Sequence, residues 1–216
     1  LTGNGTSSGG VIIDAGTFDW CNGNFPEFTE PSPSYHGLNY HEALGNIAFI
    51  AKARVEGLRD FGSAPSPFNS FQTIQGIETL DIRMKKHSEN ALKLAAWLST
   101  REEVAWVNYP GLKTSNYNSL AKQYLPKGQS GILTFGLKKG FEAGKKVADH
   151  TKLFSLLANF GDSKSLIIHP SSTTHQQLDE EAQKTTGVTK DLIRLSVGLE
   201  DVNDLIADLK AAFAEI

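Results

Sequence analysis

The chain has 216 residues, 39% of them hydrophobic and 21% charged, with 20 glycines and 8 prolines scattered without a repeat. That balance excludes a disordered, collagen-like or disulfide-stapled chain, and a formal net charge of -3 offers no basic surplus for nucleic acid. No apolar run approaches the ~20 residues that span a bilayer, and no leader-peptide pattern opens the chain, so the expectation is a cytoplasmic protein with neither a nucleic-acid nor a membrane partner. The single cysteine, Cys21, can form neither an internal disulfide nor a multi-cysteine zinc site.

Residues 1–10 are turn chemistry, four of them glycine, and they lead into Val11, Ile12 and Ile13, a β-branched run that suits a buried strand. Residues 18–40 hold Pro26, Pro31 and Pro33 among Phe18, Trp20, Phe25, Phe28 and Tyr35. Such a segment is too aromatic for a free linker and is expected to pack over a surface or a site. Leu44, Ile47, Ala48, Ala51 and Val55 fall near helical spacing, which predicts a helix over 43–59. Residues 62–67 break it. A long helical region follows over 68–99, with Leu80, Met84, Ala91, Leu94, Ala95 and Leu98 on one face. If continuous it would run about 45 Å, a length suited to bridging two domains.

Beyond residue 100 the pattern alternates. Strands are expected at 104–109, 131–137, 166–169 and 192–197, and helices at 115–124, 141–153 and 201–213. Strands interleaved with helices indicate an α/β or α+β layer with helices packed on a sheet. The only methionine is Met84 and the chain opens on Leu1, Thr2 and Gly3, so the expectation is a piece of a longer protein.

Few isolated motifs carry chemistry. Gly3, Gly5 and Gly9 are spaced wrongly for a dinucleotide fingerprint and precede an expected strand rather than a helix. There is no phosphate-binding P-loop, no H-E-x-x-H and no G-x-S-x-G. The pairs His36 with His41 and His169 with His175 match no recognised ligand spacing, so no metal is expected. Cys21 reads as a passive thiol. Two segments say more. Residues 158–166 put Asn159, Asp162, Ser163 and Ser165 in a glycine turn just before a buried strand. Arg194 stands inside the otherwise apolar run of Leu192, Ile193, Leu195 and Val197. A guanidinium there needs a partner, because an unpaired buried charge is costly. That partner is either an internal Asp or Glu, or the carboxylate of a ligand held by the bidentate fork.

Taken in order, several blocks resemble the Cys/Met-metabolism enzymes that use pyridoxal phosphate, the cystathionine γ-synthase-like group. The blocks are 33–38, 66–71, Gly76 to Leu80 with Arg83, His87, Asn90 and Ala91, then 109–112, His169 and Pro170 with Thr173, Thr174 and His175, and 192–200. The resemblance covers essentially the whole chain and matches the second half of those enzymes. Within the group, Asn159-Phe160-Gly161-Asp162 and the doubled threonine before His175 are most similar to O-acetylhomoserine sulfhydrylases. Asn4 stands where relatives commonly have histidine.

The resemblance implies an α+β C-terminal domain of pyridoxal phosphate fold type I, joined by a long helix to a remnant of the large cofactor-binding domain. The corresponding boundaries are 1–62 for the remnant, 63–100 for the linking helical region and 101–216 for the C-terminal α/β domain. It implies a transferase of sulfur amino-acid biosynthesis: pyridoxal 5'-phosphate as cofactor, O-acetylhomoserine and sulfide or a thiol as substrates, and a homodimer or homotetramer. The cofactor's Schiff-base lysine would lie in the upstream half of the same polypeptide, before Leu1. Arg194 would hold the substrate α-carboxylate bidentately, Asn159 would donate a further hydrogen bond, and Ser165 would assist. Cystathionine γ-synthase and methionine or cystathionine γ-lyase are the alternatives within the group. A non-catalytic α/β interaction domain is the alternative outside it.

Overall fold

The computed structural model describes residues 1–216. The chain forms two compact units, one of Leu1–Ser8 with Gln72–Ile216 and the other of Gly9–Phe71.

In the Gly9–Phe71 unit, helix α1 (Pro26–Thr29) begins on a proline, whose missing N–H would go unpaired in a first turn anyway. The helix expected over 43–59 is a string of shorter pieces. Helix α2 (Tyr40–Leu44), capped by the Asn39 side chain on the Glu42 amide, ends where Gly45 turns to φ 54. A 3-10 turn leads into α3 (Ala48–Lys52), then a π-turn over Ala53–Leu58 and α4 (Arg59–Phe61). Phe28, Tyr40 and Ala48 form the buried centre. Trp20 stacks on Phe28 at 4.2 Å and on Phe49 at 5.6 Å, so the aromatic stretch is packed rather than free. Glu56 receives the Tyr40 hydroxyl at 2.8 Å and the Lys52 amine at 2.6 Å. The Lys52 hydrogen bond holds the Glu56 carboxyl below its ordinary range, and burial pushes the Tyr40 phenol to about 12.

One expected strand is absent. Val11, Ile12 and Ile13 are 75, 66 and 87% exposed and pair with nothing. A strand needs a neighbour to satisfy its amides, and every strand of the sheet begins after residue 103.

The long helical region is two helices, α5 (Pro67–Glu78) and α6 (Leu80–Leu98), separated at Thr79. Five strands follow: β1 (Val104–Asn108), β2 (Ile132–Leu137), β3 (Ser155–Leu156), β4 (Leu166–Ile168) and β5 (Leu192–Ser196). They lie in the order β1-β2-β5-β4-β3, antiparallel except for the β3–β4 pair. The helices between and after them are α7 (Asn118–Tyr124), α8 (Gly140–His150), α9 (Glu180–Thr185) and α10 (Val202–Phe213). The two-residue β3 and the short α9 lie outside the sequence expectation.

Alternation sorts the sheet's faces. Leu133, Phe135 and Leu137 of β2, with Ile193 and Leu195 of β5, share one core with Ala91, Leu94 and Leu98 of α6. Val147 of α8 and Leu205, Leu209 and Phe213 of α10 complete it. By the same alternation Thr134 and Arg194, paired across β2 and β5, point away from that core. Close packing also fixes a glycine: a Cβ on Gly136 would lie 2.1 Å from both the Asp191 carboxylate and the Trp106 ring nitrogen, which bond each other at 2.8 Å.

His169 follows β4 on the core side and is fully buried. Its Nε2–H donates to the Lys190 carbonyl at 2.8 Å, and Nδ1 meets the Ser172 hydroxyl at 2.8 Å. Burial lowers its pKa below the ordinary 6.5, outweighing the Lys190 carbonyl and the nearby acids that favour the charged form. The folded chain therefore refuses a proton that the unfolded chain accepts near 6.5, and stability falls as pH drops through that region. Urea unfolding midpoints should decrease from about pH 7.5 to about pH 5.5. The slope should be flatter in His169→Gln, and an equal slope in that variant would show the acid sensitivity to lie elsewhere.

Candidate active site

Arg194 sits in the middle of β5, half-buried, between Thr134 of β2 and Ile168 of β4. Its Nη2 donates to the backbone carbonyl of Asn159 at 3.0 Å. The ion pairs of the chain are Lys52–Glu56, Arg101–Glu103 and Lys190–Glu180, and none involves Arg194. The guanidinium is therefore oriented by a neutral carbonyl and keeps further N–H donors for an anion.

Asn159 opens the turn expected from the sequence. The turn presents Phe160, 72% exposed, passes through Gly161 at φ 70 and buries Asp162. Its shape is set by backbone bonds rather than by apolar packing. The Gly161 amide donates to the Ser196 hydroxyl of β5 at 3.2 Å, and the Lys164 amide to Asp162 Oδ1 at 3.0 Å. The Ser163 amide donates to the Gly3 carbonyl at 2.7 Å.

That last bond brings the opening glycines to the site. Gly3 and Gly5 both have positive φ, 83 and 67, a region open to glycine at little cost. A Cβ on Gly5 would lie 3.0 Å from Asp162 Oδ2 and 3.7 Å from Asn159 Nδ2. A Cβ on Gly3 would lie 2.2 Å from Arg83 Nη1. Arg83 in turn donates to the carbonyls of Leu1, at 2.9 Å, and Gly76, and to the Thr79 hydroxyl at 3.2 Å, at the break between α5 and α6. A cavity of about 400 Å³ adjoins the turn through Phe160 and Gly161 and reaches Arg83 and His87.

Ser165 joins the same loop but turns inward. It is fully buried; its hydroxyl donates to Glu200 Oε2 at 2.8 Å and accepts from the Gly198 amide at 2.8 Å. Arg194 and Asn159 are thus brought together directly, and Ser165 stands behind them. Glu200, Gly3 and Gly5 are site elements that residue-by-residue reading passed over. Asn90 carried a signal: it is a polar residue in the buried stripe of Ala91 and Leu94, and its Nδ2 bonds the carbonyls of Gly198 and Glu200.

Residues 1–214 match the family described as Cys/Met metabolism PLP-dependent enzyme. An O-acetyl-L-homoserine sulfhydrylase of Leptospira meyeri is 54% identical, aligned over 100% of this chain and 51% of its own length. O-acetyl-L-homoserine sulfhydrylase 1 of Thermus thermophilus is 50% identical over 98% of this chain and 50% of its own. The homocysteine/cysteine synthase of Saccharomyces cerevisiae is 46% identical over 100% and 51%. The chain spans about half the length of the curated relatives it matches. A crystal structure from Campylobacter jejuni, assigned as an O-acetylhomoserine (thiol)-lyase and holding N'-pyridoxyl-lysine-5'-monophosphate, superposes with a TM-score of 0.80. The two are 47% identical, and the match covers 88% of this chain and 45% of that one.

The glycine turn generates a direct test. Gly3→Ala meets both a positive φ and the Arg83 guanidinium, and should lower stability by about 1–3 kcal/mol. Amide exchange at Ser163 should accelerate in the same variant, because its acceptor is the Gly3 carbonyl. Unchanged exchange there would separate the turn from the loop.

Proposed function

Because the chain belongs to the Cys/Met-metabolism PLP-dependent enzymes, we propose that it is the C-terminal portion of an O-acetyl-L-homoserine sulfhydrylase, exchanging the γ-acetate for sulfide or a thiol to give homocysteine or methionine. The observation that carries this reading is Arg194, half-buried on β5 with a carbonyl to orient it and no acid to neutralise it.

The residues present fit one side of such a site. Arg194 offers a fork for the substrate α-carboxylate, and Asn159, whose backbone carbonyl holds that guanidinium, carries a neutral amide donor on its side chain. Fixing the carboxylate at two points limits rotation of the substrate, so that the α-proton is presented in one direction, a positioning contribution. Lys52 and Lys85 do not fit the cofactor anchor as well. Lys52 is paired with Glu56 and lies over the Tyr40 ring at 4.6 Å, while Lys85 is exposed on α6. Pyridoxal phosphate, when bound, supplies the sink for the electrons released at the α-carbon. We place its lysine in the upstream half of the polypeptide, in keeping with the half-length match to the relatives.

The domain boundaries belong to the same proposal. The unpaired Val11 to Ile13 run and the small aromatic core around Phe28 and Tyr40 support residues 1–62 as a remnant of a larger domain, with 63–100 linking it to 101–216. A cytoplasmic homodimer or homotetramer is part of the proposal. Supporting the assembly, Phe68, Phe71, Ile74 and Ile77 leave a row of exposed apolar side chains along α5.

In the longer polypeptide, Arg194→Lys should lower kcat/KM for O-acetylhomoserine with sulfide by about one to two orders of magnitude, because lysine keeps the charge and loses the fork. Asn159→Ser should cost less, since serine still donates one hydrogen bond. Circular dichroism should show both variants folded. Turnover unaffected by Arg194→Lys would refute the carboxylate role.

A further inference from the structure

The loop that carries Asn159 and the strand that carries Arg194 are joined a second time, beyond the end of β5. The Leu199 amide donates to the Ser163 carbonyl at 2.8 Å. The Glu200 carboxylate takes both hydrogens of Ser165, the amide at 2.7 Å and the hydroxyl at 2.8 Å. The Gly198 amide donates back to the Ser165 hydroxyl, and Asn90 of α6 clamps the Gly198 and Glu200 carbonyls from behind. The contacts leave no room for a side chain at position 198. A Cβ there would lie 2.4 Å from both Glu200 Oε2 and the Ser163 carbonyl.

These bonds close a ring. From Arg194 it passes to the Asn159 carbonyl, along the loop to Ser163 and Ser165, across to Leu199 and Glu200, and back along the chain to β5. The Glu200 carboxylate has no Lys, Arg or His partner in any ion pair, so its charge serves to accept hydrogen bonds. An amide in its place has one acceptor oxygen and a donor nitrogen, which would face a serine already committed to donating.

We propose that Glu200 is a positioning residue for substrate binding, holding the 159–165 loop so that the Asn159 carbonyl keeps the Arg194 guanidinium aimed at the substrate carboxylate. The inference rests on the carboxylate reading of Arg194 given above. It concerns residues that do not touch the substrate, so its signature is in binding of the carboxylate and in loop motion.

The experiment compares Glu200→Gln, Ser165→Ala, their combination and Arg194→Lys in the full-length, cofactor-loaded enzyme. Glu200→Gln should raise KM for O-acetylhomoserine roughly three- to tenfold while kcat changes less than about twofold. Hydrogen exchange of the peptide spanning 159–165 should accelerate in the same variant. Ser165→Ala should reproduce both effects, and the double variant should be no worse than the stronger single one, as for two members of one network. If Glu200→Gln does not fold, Ser165→Ala carries the same test. A lowered melting temperature with KM and loop exchange unchanged would overturn the proposal and leave Glu200 a structural cap. If Arg194→Lys leaves KM and kcat unchanged, the carboxylate reading itself fails. If Arg194→Lys impairs binding and neither Glu200→Gln nor Ser165→Ala does, the positioning role alone fails.

Discussion

One guanidinium on the outer face of a five-stranded sheet sets the terms for everything around it. β5 must carry Ile193 and Leu195 into the core, and the two-residue period then sends Arg194 to the opposite face. A charge held there by flanking strands needs a partner of the right shape. The fold meets only part of that need, with the carbonyl of Asn159. The rest of the hydrogen-bonding capacity is left facing outward. The loop at 159–165 carries that carbonyl, and the opening glycines and the turn after β5 both bond to this loop.

This explains why the site is built from polar backbone contacts rather than from side-chain packing. Ser196, Asp162, Ser165 and Glu200 each bind an amide of the loop or of the turn beside it. Such bonds are worth about 0.5–1.5 kcal/mol apiece, or about 1.5–3 kcal/mol where the acceptor is a carboxylate, and they are directional. The apolar core, by contrast, lies on the far side of the sheet under α6, α8 and α10. The apolar core and the Arg194 guanidinium therefore belong to opposite faces of the same five strands.

Strands β1, β2, β4 and β5 and the amphipathic α10 are legible in the sequence because burial patterns them. Arg194 is legible for the converse reason, as a charge that breaks such a pattern. The Asn159 turn shows itself through Gly161 and its cluster of polar residues. Val11 to Ile13 mislead because β-branched residues report a preference, while a strand also needs a neighbour. The break at Thr79 is hidden because the stripe from Leu80 to Leu98 resumes with no proline or change in composition. Glu200 is invisible in a string of letters, since its partners lie 35 residues away and its own neighbours resemble an ordinary helix start.

The placement of residues 1–8 has a consequence for how the chain folds. Those residues pack with Gln72–Ile216, so that unit is discontinuous in sequence, and Gly9–Phe71 is an excursion that leaves it and returns. The two junctions are close: the Thr6 hydroxyl donates to Gln72 Oε1 at 3.0 Å. Joining the ends of an unstructured excursion of roughly sixty residues costs on the order of a few kcal/mol in chain entropy. The bonds that seat residues 1–8 on Gln72–Ile216, from the Ser163 amide to Gly3 and from Arg83 to Leu1, therefore work against that closure cost as well as holding the glycine turn in place.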